Sequence, residues 1–216
     1  MIQILAAAAL AVSLVGVARI TTAAADRPLN VVAFGDSLTA GYGLAEQDGF
    51  VPRLQAALAE KGVSATIANA GVSGDTATDG LARLDWSVPA ETQAVIVELG
   101  ANDMLRGIDP QLTRKALQEI LRRLSARHIA VLLCGMRAAP NLGSAYGQAF
   151  ERIYPQLAAQ YGVALYPFFL DGVAANPQLM QRDGMHPNAA GVGVIVKRIL
   201  PKAEELIVRA RALPRS

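Results

Sequence analysis

Five short runs of apolar and β-branched residues recur along the chain. They are continuous apolar stretches, not alternations of apolar and polar residues, which is typical of strands that are covered on both faces. Segments with a helical spacing of apolar residues separate them, so strand and helix alternate. The sequence therefore predicts one α/β three-layer sandwich around a five-stranded parallel sheet, with strands near residues 30–34, 65–68, 94–99, 129–134 and 163–168.

The segments between these runs carry the periodicity of amphipathic helices. Apolar residues spaced three or four apart form one face over residues 50–58, 117–124 and 146–161, and a last helix begins near residue 188. Glycine readily ends a helix, so Lys61-Gly62 is a plausible stop for the first of them. Proline has no backbone N–H, so we expect Pro155 to kink or restart the third helix and Pro201 to break the last.

The composition is that of a globular domain with a sizeable core. Of the 216 residues, 52% are hydrophobic and 18% are charged, and the formal net charge is +2. This length fits one domain. The charge balance suggests no nucleic-acid partner, and the arginines near Arg122 and Arg209 are more typical of solvated faces. The single cysteine, Cys134, lies in an apolar run, which excludes an internal disulfide and favours a core position.

Residues 1–25 differ from the rest of the chain. A continuous apolar stretch over residues 4–17 is followed by Ala23-Ala24-Ala25, a small-x-small pattern that signal peptidase cuts, here before Asp26. The stretch is short for a bilayer span, and no lysine or arginine precedes it. We expect a cleaved signal peptide, with an uncleaved anchor or a mis-assigned start codon as the alternatives. Residues 26–216 would then form a single periplasmic or secreted domain with no stable membrane insertion after cleavage.

Four polar segments are expected to meet at one edge of the sheet. Three of them, residues 35–37, 69–74 and 100–103, follow the first three predicted strands. The fourth, residues 183–186, lies in the loop before the last helix. In open parallel sheets, binding and active sites lie at the carboxyl ends of the strands. The sequence therefore predicts a functional site where these segments converge.

These segments hold the residue types that a serine hydrolase needs. A serine hydroxyl is a weak nucleophile that requires a base, and His186 is one of only two histidines in the chain. Asp183 precedes it by three residues, so on a tight turn the carboxylate accepts from the histidine Nδ1. We expect Ser37 to be the nucleophile. The N–H groups of Ser37 and Gly74 and the amide of Asn102 are the expected donors to an oxyanion.

Other residues of the same types suit these roles less well. His128 lies between a helix and a strand, far from the Ser37 edge, and is expected to be a cap or surface residue. Ser73 lacks the position at a strand-to-helix turn. The alternative acids are Asp36, Asp75 and Asp103. Asp36 neighbours Ser37 and is expected to anchor the turn by accepting from backbone N–H groups.

Apolar side chains flank the predicted site. The segments 104–108 and 136–145 offer a wall that suits an acyl or aryl group, although each member also suits the core. The candidate substrate-binding residues are Met104, Leu105, Ile108, Leu142 and Met185. The expected partner is accordingly a small-molecule ester or lipid substrate.

The four segments occur in the order found in the GDSL or SGNH hydrolases, and the chain resembles that family over residues 30–198. The matching residues are Ser37 in Gly35-Asp36-Ser37-Leu38, Gly74 in the segment 69–74, Asn102 in Gly100-x-Asn102-Asp103, and His186 in Asp183-x-x-His186. Residues 73–76, 105–107 and 153–155 are similar to the bacterial thioesterase I, lysophospholipase L1 and arylesterase group. The resemblance implies a flavodoxin-like fold with strand order 2-1-3-4-5, the triad named above, and no metal or cofactor.

The predicted reaction is hydrolysis of a carboxylic ester or thioester through an acyl-enzyme. Lysophospholipids and small aryl or acyl esters suit an exported enzyme, which does not meet acyl-CoA. A carbohydrate O-deacetylase on the same scaffold is one alternative. A non-catalytic flavodoxin-like module, which would hold an anion at the helix that begins near Ser37, is the other. The sequence makes no prediction of oligomeric state.

Overall fold

The five apolar runs form one sheet in the computed structural model, which describes residues 27–214. The strands are β1 (Leu29–Gly35), β2 (Ala65–Gly71), β3 (Ala94–Glu98), β4 (Ala130–Cys134) and β5 (Ala164–Tyr166). All neighbouring strands run parallel, and their order is β2-β1-β3-β4-β5. The strand order implied by the family resemblance is confirmed.

The register of β1 explains why the polar segments converge. Gly35, the last residue of β1, pairs with Gly71 of β2 on one side and with Glu98 of β3 on the other. These three strands therefore end at the same level, and the segments that follow them leave the sheet together. Strand β2 continues past residue 68 because its last three residues still pair with β1.

Helices cover both faces of the sheet. The α-helices in residues 27–214 are α1 (Ser37–Ala40), α2 (Phe50–Glu60), α3 (Ala77–Ser87), α4 (Ala101–Leu105), α5 (Pro110–Ala126), α6 (Ser144–Glu151), α7 (Ile153–Tyr161) and α8 (Ala189–Ala212). Helices α2 and α8 pack against each other in one layer, while α3, α5 and α7 pack side by side in the other. The predicted three-layer sandwich is therefore confirmed.

The burial of each strand follows its place in the sheet. Every residue of β3 and β4 is buried, as expected for continuous apolar runs covered on both faces. Strand β2 lies at the sheet edge, and Ile67 is its only buried residue. The prediction of two covered faces is therefore wrong for β2. Cys134 is fully buried at the end of β4.

The two prolines expected to interrupt helices behave differently. The predicted third helix is split at Arg152 into α6 and α7, and Pro155 lies in the first turn of α7, where its missing N–H has no helical partner to lose. The prediction of a break at Pro201 is wrong, because α8 runs through it without interruption. Pro201 and Lys197 are both exposed, so the carbonyl that loses its partner can bond to water.

The predicted signal peptide, residues 1–25, lies outside the described residues. Across residues 27–214 no helix has the length and apolar character needed to cross a membrane. The longest of these helices, α8, has 24 residues, and its exposed residues include Lys197, Arg198, Arg209 and Arg211.

Candidate active site

A tight turn at the end of β1 presents Ser37 at the carboxyl edge of the sheet. Asp36 is fully buried, and its Oδ1 accepts the N–H of Leu38 at 3.0 Å. This bond caps the short helix α1, of which Ser37 is the first residue. Asp36 thus anchors the turn and leaves the neighbouring hydroxyl free to face the loops that gather at this edge.

A second turn, just before α8, brings an imidazole and a carboxylate to that hydroxyl. His186 Nδ1 lies 2.6 Å from Asp183 Oδ2, and His186 Nε2 lies 2.9 Å from Ser37 Oγ. When Nδ1 donates to the carboxylate, Nε2 is left as an acceptor for the serine hydroxyl. The structure therefore brings together the three residues that the sequence selects, in one continuous hydrogen-bonded chain.

Asp183 also shapes the turn that carries the histidine. Its Oδ1 accepts the backbone N–H groups of Met185 at 2.9 Å and His186 at 3.0 Å. The hydrogen bond from the His186 ring, followed by these backbone bonds, lowers the pKa of Asp183 to about 2. Asp183 is therefore ionised at neutral pH, and its charge faces the imidazole.

Tyr42 and Gln181 fix the position of the histidine, and the sequence pattern singles out neither. The centroids of the Tyr42 and His186 rings are 4.7 Å apart, with their planes inclined by 39°. Gln181 Nε2 donates to the carbonyls of Tyr42 at 2.7 Å and Pro187 at 3.0 Å. The Gln181 N–H donates to the His186 carbonyl at 2.7 Å. These bonds join the loop after α1 to the histidine turn, and no sequence pattern signals the contact with Tyr42 because it lies 139 residues before Gln181.

Gly74 lies in a conformation that few other residues adopt. Its φ is +91°, in the left-handed region that favours glycine. Arg106 Nη2 donates to its carbonyl at 2.7 Å, and the next residue, Asp75, pairs with Arg83 at 2.5 Å. Within residues 27–214, the backbone N–H groups of Gly74 and Ser37 donate to no acceptor. Both donors are thus available to an oxygen of a ligand.

Asn102 is held in α4 with its amide nitrogen toward the Ser37 turn. Its Nδ2 donates to Asp36 Oδ2 at 3.1 Å and to the carbonyl of Asp75 at 2.9 Å. Asn102 and Ser37 line the same cavity. Because both amide hydrogens already have acceptors, an oxyanion would share one of them in a three-centre bond.

Two buried carboxyl groups lie beneath the Ser37 turn. Glu98 Oε2 accepts the Thr39 hydroxyl at 2.7 Å and the Asp36 N–H at 3.3 Å, while its Oε1 has no partner within residues 27–214. Burial raises the pKa of Asp36 to about 6. Burial, and then the charge of Asp36, raises the pKa of Glu98 well above its usual range. Both shifts favour the protonated form, so the pair resists carrying two negative charges at once.

The competing residues are occupied or distant. Asp75 pairs with an arginine, and Asp103 accepts from the first N–H of α3 and from a threonine of α5. His128 is exposed just before β4, at the amino end of the strands. Ser73 is exposed in the loop after β2. None of them contacts the imidazole that reaches Ser37.

An apolar cavity of about 400 Å³ opens beside Ser37 and His186. Of the predicted wall, Met104, Leu105 and Met185 line it. Leu105 and Met185 are 54% and 48% exposed, so they form its mouth.

Ile108 and Leu142, also predicted for the wall, do not line this cavity. The Ile108 N–H donates to the Asp103 carbonyl and closes the turn after α4. This turn keeps Ile108 away from the cavity mouth. Leu142 ends the 3-10 helix Pro140–Leu142, of which only Pro140 reaches the cavity.

The loop between β5 and α8 supplies wall residues that sequence reasoning missed. They are Phe168, Leu170, Ala174, Ala175 and Met180. This loop has no helical or strand periodicity, so no pattern in the sequence indicates which of its side chains face inward.

The comparisons with known proteins agree with this geometry. The model of the GDSL-like lipase/acylhydrolase family matches residues 33–194. The chain belongs to that family. The esterase TesA of Pseudomonas aeruginosa is 40% identical over 189 residues, which are 87% of this chain and 93% of that protein. Thioesterase 1/protease 1/lysophospholipase L1 of Escherichia coli strain K12 is 43% identical over 168 residues, 77% of each chain.

A solved structure shows the same likeness. The SGNH-hydrolase family esterase AlinE4 is 45% identical, with a TM-score of 0.71 over 83% of this chain and 96% of that one. The family resemblance and the prediction of a serine hydrolase acting on esters are thereby confirmed. The alternative of a non-catalytic module finds no support in these likenesses.

Proposed function

We propose that Ser37, His186 and Asp183 form the catalytic triad of a serine esterase that works through an acyl-enzyme. The observation that carries this proposal is the hydrogen-bonded chain from Asp183 Oδ2 to His186 Nδ1 at 2.6 Å and from His186 Nε2 to Ser37 Oγ at 2.9 Å. These are the distances over which a base takes a proton from a nucleophile.

In the first half of the reaction, Ser37 Oγ bonds to the ester carbonyl carbon while its proton passes to His186 Nε2. The N–H groups of Ser37 and Gly74 and the amide of Asn102 stabilise the oxyanion that forms. The imidazolium then gives its proton to the leaving oxygen or sulfur, that bond breaks, and the acyl group stays on Ser37. Asp183 stabilises the imidazolium throughout.

In the second half, water replaces the alcohol or thiol. His186 takes a proton from the water, whose oxygen bonds to the acyl carbon, and the same donors hold the second oxyanion. The proton returns to Ser37 Oγ as the acyl bond breaks, which releases a carboxylic acid. The neutral serine and neutral histidine are restored.

The substrates that fit best carry an apolar acyl or aryl group. The cavity walls are mostly methionine, leucine and alanine side chains, and its volume of about 400 Å³ is larger than an acetyl group needs. Lysophospholipids, aryl esters and acyl thioesters share this chemistry, and relatives of this chain are named as thioesterase 1/lysophospholipase L1 and arylesterase. We further propose export to the periplasm, with residues 1–25 as the cleaved signal.

The test compares variants at the two proposed reacting residues with variants of the other histidine and of the nearby exposed serine. Ser37→Ala and His186→Ala should each lower kcat on the order of 10³–10⁶-fold, whereas Ser73→Ala and His128→Ala should stay close to wild type. A fluorophosphonate should phosphonylate the wild type with loss of fluoride, which mass spectrometry detects as an added phosphonyl group, and should leave Ser37→Ala unmodified. Near-full activity of His186→Ala would show that the base is assigned wrongly.

The substrate proposal needs a separate measurement. A series of nitrophenyl esters from acetate to laurate, beside an acetylated sugar, compares an acyl-chain hydrolase with a carbohydrate O-deacetylase. We expect kcat/KM to rise with chain length beyond acetate because each buried CH₂ contributes about 0.8 kcal/mol. A maximum at acetate, with turnover of the sugar, would favour the deacetylase.

A further inference from the structure

The walls of the cavity contain one side chain with a fixed charge. Apart from the proposed base His186, all lining residues except Arg137 are apolar or neutral. Arg137 follows β4 by three residues, at the same carboxyl edge from which Ser37 emerges. Arg137 is exposed, so its charge lies at the solvent-facing rim of the apolar cavity, where it can meet the polar end of an amphiphilic ligand.

The backbone that carries Arg137 is held tightly. The Gly135 N–H donates to the Tyr166 carbonyl at 2.8 Å, and the Gly135 carbonyl accepts from the Phe169 N–H at 2.9 Å. A Cβ on Gly135 would lie 2.2 Å from the carbonyl oxygen of Pro167, so the two segments approach as closely as glycine permits. The next residue, Met136, is 3% exposed and anchors the segment in the core.

The guanidinium itself rests on an aromatic ring of the cavity wall. The Cζ atom of Arg137 lies 5.0 Å from the centroid of the Phe168 ring, within the range of a cation–π contact. A guanidinium that stacks through its face keeps its N–H donors at the edge, and that edge suits a carboxylate, sulfonate or phosphate. Phe168 therefore positions the cation without using its hydrogen-bond donors.

Arg137 has no acidic partner among residues 27–214. Two other arginines near this edge are already paired, Arg83 with Asp75 and Arg198 with Asp171 at 2.6 Å. Asp171, in the loop that packs beside Phe168, is thus occupied. A bound anion would be the partner of Arg137 and not a competitor of an existing ion pair.

We infer that Arg137 is a specificity residue that binds an anionic group of the ester substrate while the apolar wall holds the rest. This inference rests on the proposed function of Ser37. The anion could belong to the acyl part, as in an ester of a dicarboxylic acid, or to the leaving group, as in a lysophospholipid headgroup. Both place a negative charge at one end of an amphiphilic ester.

The experiment uses two matched pairs of esters. In the acyl pair, the nitrophenyl monoester of suberic acid, with its free carboxylate, is compared with nitrophenyl octanoate. In the leaving-group pair, the octanoate of 4-hydroxybenzenesulfonate is compared with that of the neutral sulfonamide. Each pair is measured with the wild type, Arg137→Gln, Arg137→Lys, and Arg152→Gln as an exposed arginine outside the cavity.

We expect Arg137→Gln to lower kcat/KM about 5- to 10-fold for the charged member of one pair, because solvent screens the contact of an exposed arginine with an anion. The neutral member should change less than about twofold, Arg137→Lys should retain part of the preference because it keeps the charge, and Arg152→Gln should behave as wild type. The pair that responds identifies the end of the substrate that carries the anion.

Equal losses on charged and neutral members, or no change on either, would overturn the inference and leave Arg137 as a cover for Phe168. Failure of the proposed function has a different signature. In that case Ser37→Ala would hydrolyse the neutral esters as fast as the wild type. These results therefore distinguish a failure of the Arg137 inference from a failure of the proposed function of Ser37.

Discussion

The carboxyl groups near Ser37 are chemically alike, but their pKa values shift in opposite directions because their surroundings differ. Asp183 receives a hydrogen bond from the His186 ring and two more from backbone N–H groups, which lowers its pKa to about 2. Glu98 is fully buried beside Asp36, and its burial and that neighbouring charge raise its pKa well above its usual range. Only a carboxylate that stays charged at every working pH can stabilise an imidazolium, and Asp183 meets that condition.

Asp183→Asn tests this charge with almost no change of shape. The amide donates toward Nδ1, so the histidine proton moves to Nε2 and no acceptor faces Ser37. We expect kcat on a nitrophenyl ester to fall on the order of 10³–10⁴-fold with little change in melting temperature. The control is Asp85→Asn, whose side chain is 69% exposed. A loss below tenfold would show that the imidazole is oriented by other contacts, such as that with Tyr42.

Asn102→Ala tests the amide donor. Removal of one oxyanion donor should raise the activation barrier by about 2.7–4 kcal/mol, which lowers kcat about 10²–10³-fold. KM should change little, because the oxyanion exists only in the transition state. Asn141→Ala, an exposed asparagine outside the cavity lining, is the control. An effect confined to KM would show that Asn102 only binds substrate.

At this scale the sequence reveals residue types and not their contacts. Ser37, Asp183 and His186 stand in local patterns whose spacing has a chemical meaning, so they can be selected from the sequence. Tyr42 acts by covering a ring, and Glu98 is hidden in a strand whose other residues are apolar. Their roles depend on neighbours that are distant in sequence, and no spacing encodes those.

At the scale of elements, α8 shows how packing overrides a local preference. Its buried face runs past Pro201, with Ile199, Ala203 and Leu206 all buried. A break at Pro201 would be favoured only if the free-energy cost of the lost backbone hydrogen bond exceeded the gain from burying this apolar face. Because α8 packs against α2 and the sheet, the helix continues, and since Lys197 is exposed its unpaired carbonyl can bond to water.

Pro201→Ala should therefore stabilise the protein. Alanine restores the N–H that bonds to Lys197, and a helix-interior proline is about 3 kcal/mol less favourable than alanine. Proline also restricts the unfolded chain, which offsets about 0.4–1 kcal/mol of that gain. We expect the free energy of unfolding in urea to rise by about 2 kcal/mol, with esterase activity unchanged. Val208→Ala, at a position 68% exposed in the same helix, should shift it far less, and a loss of stability in Pro201→Ala would contradict this account.

At the scale of the whole molecule, the sheet is the part most open to prediction. Strand order and parallel direction follow from the apolar runs and the family motifs. The cavity is less predictable, since much of its wall comes from the irregular loop after β5. Loops adopt their shape through tertiary contacts. The sequence therefore does not indicate that Phe168 lines the cavity or that Ile108 and Leu142 lie outside its lining.

The free energy of unfolding should depend on pH because of the two buried carboxyl groups, Glu98 and Asp36. Glu98 has a folded-state pKa well above its usual range, so between its unfolded pKa of 4.5 and that raised value the folded state binds more protons than the unfolded state. The free energy of unfolding is then greatest below the unfolded pKa and falls as pH rises through the folded pKa, by up to about 1.4 kcal/mol per pH unit. Asp36, raised to about 6, acts in the same direction at lower pH.

Glu98→Gln removes this titration and keeps the shape of the side chain. Its Oε can still accept from the Thr39 hydroxyl and the Asp36 N–H, as Oε2 of Glu98 does. We expect urea unfolding of the variant and wild type to give similar stabilities near pH 5 and an advantage for the variant that grows toward pH 9. Glu60→Gln, an exposed glutamate on α2, should give a difference that does not change with pH. A difference for Glu98→Gln that is equally flat would mean that Glu98 is ionised in the folded protein, and that the charge beneath Ser37 is carried by both carboxylates.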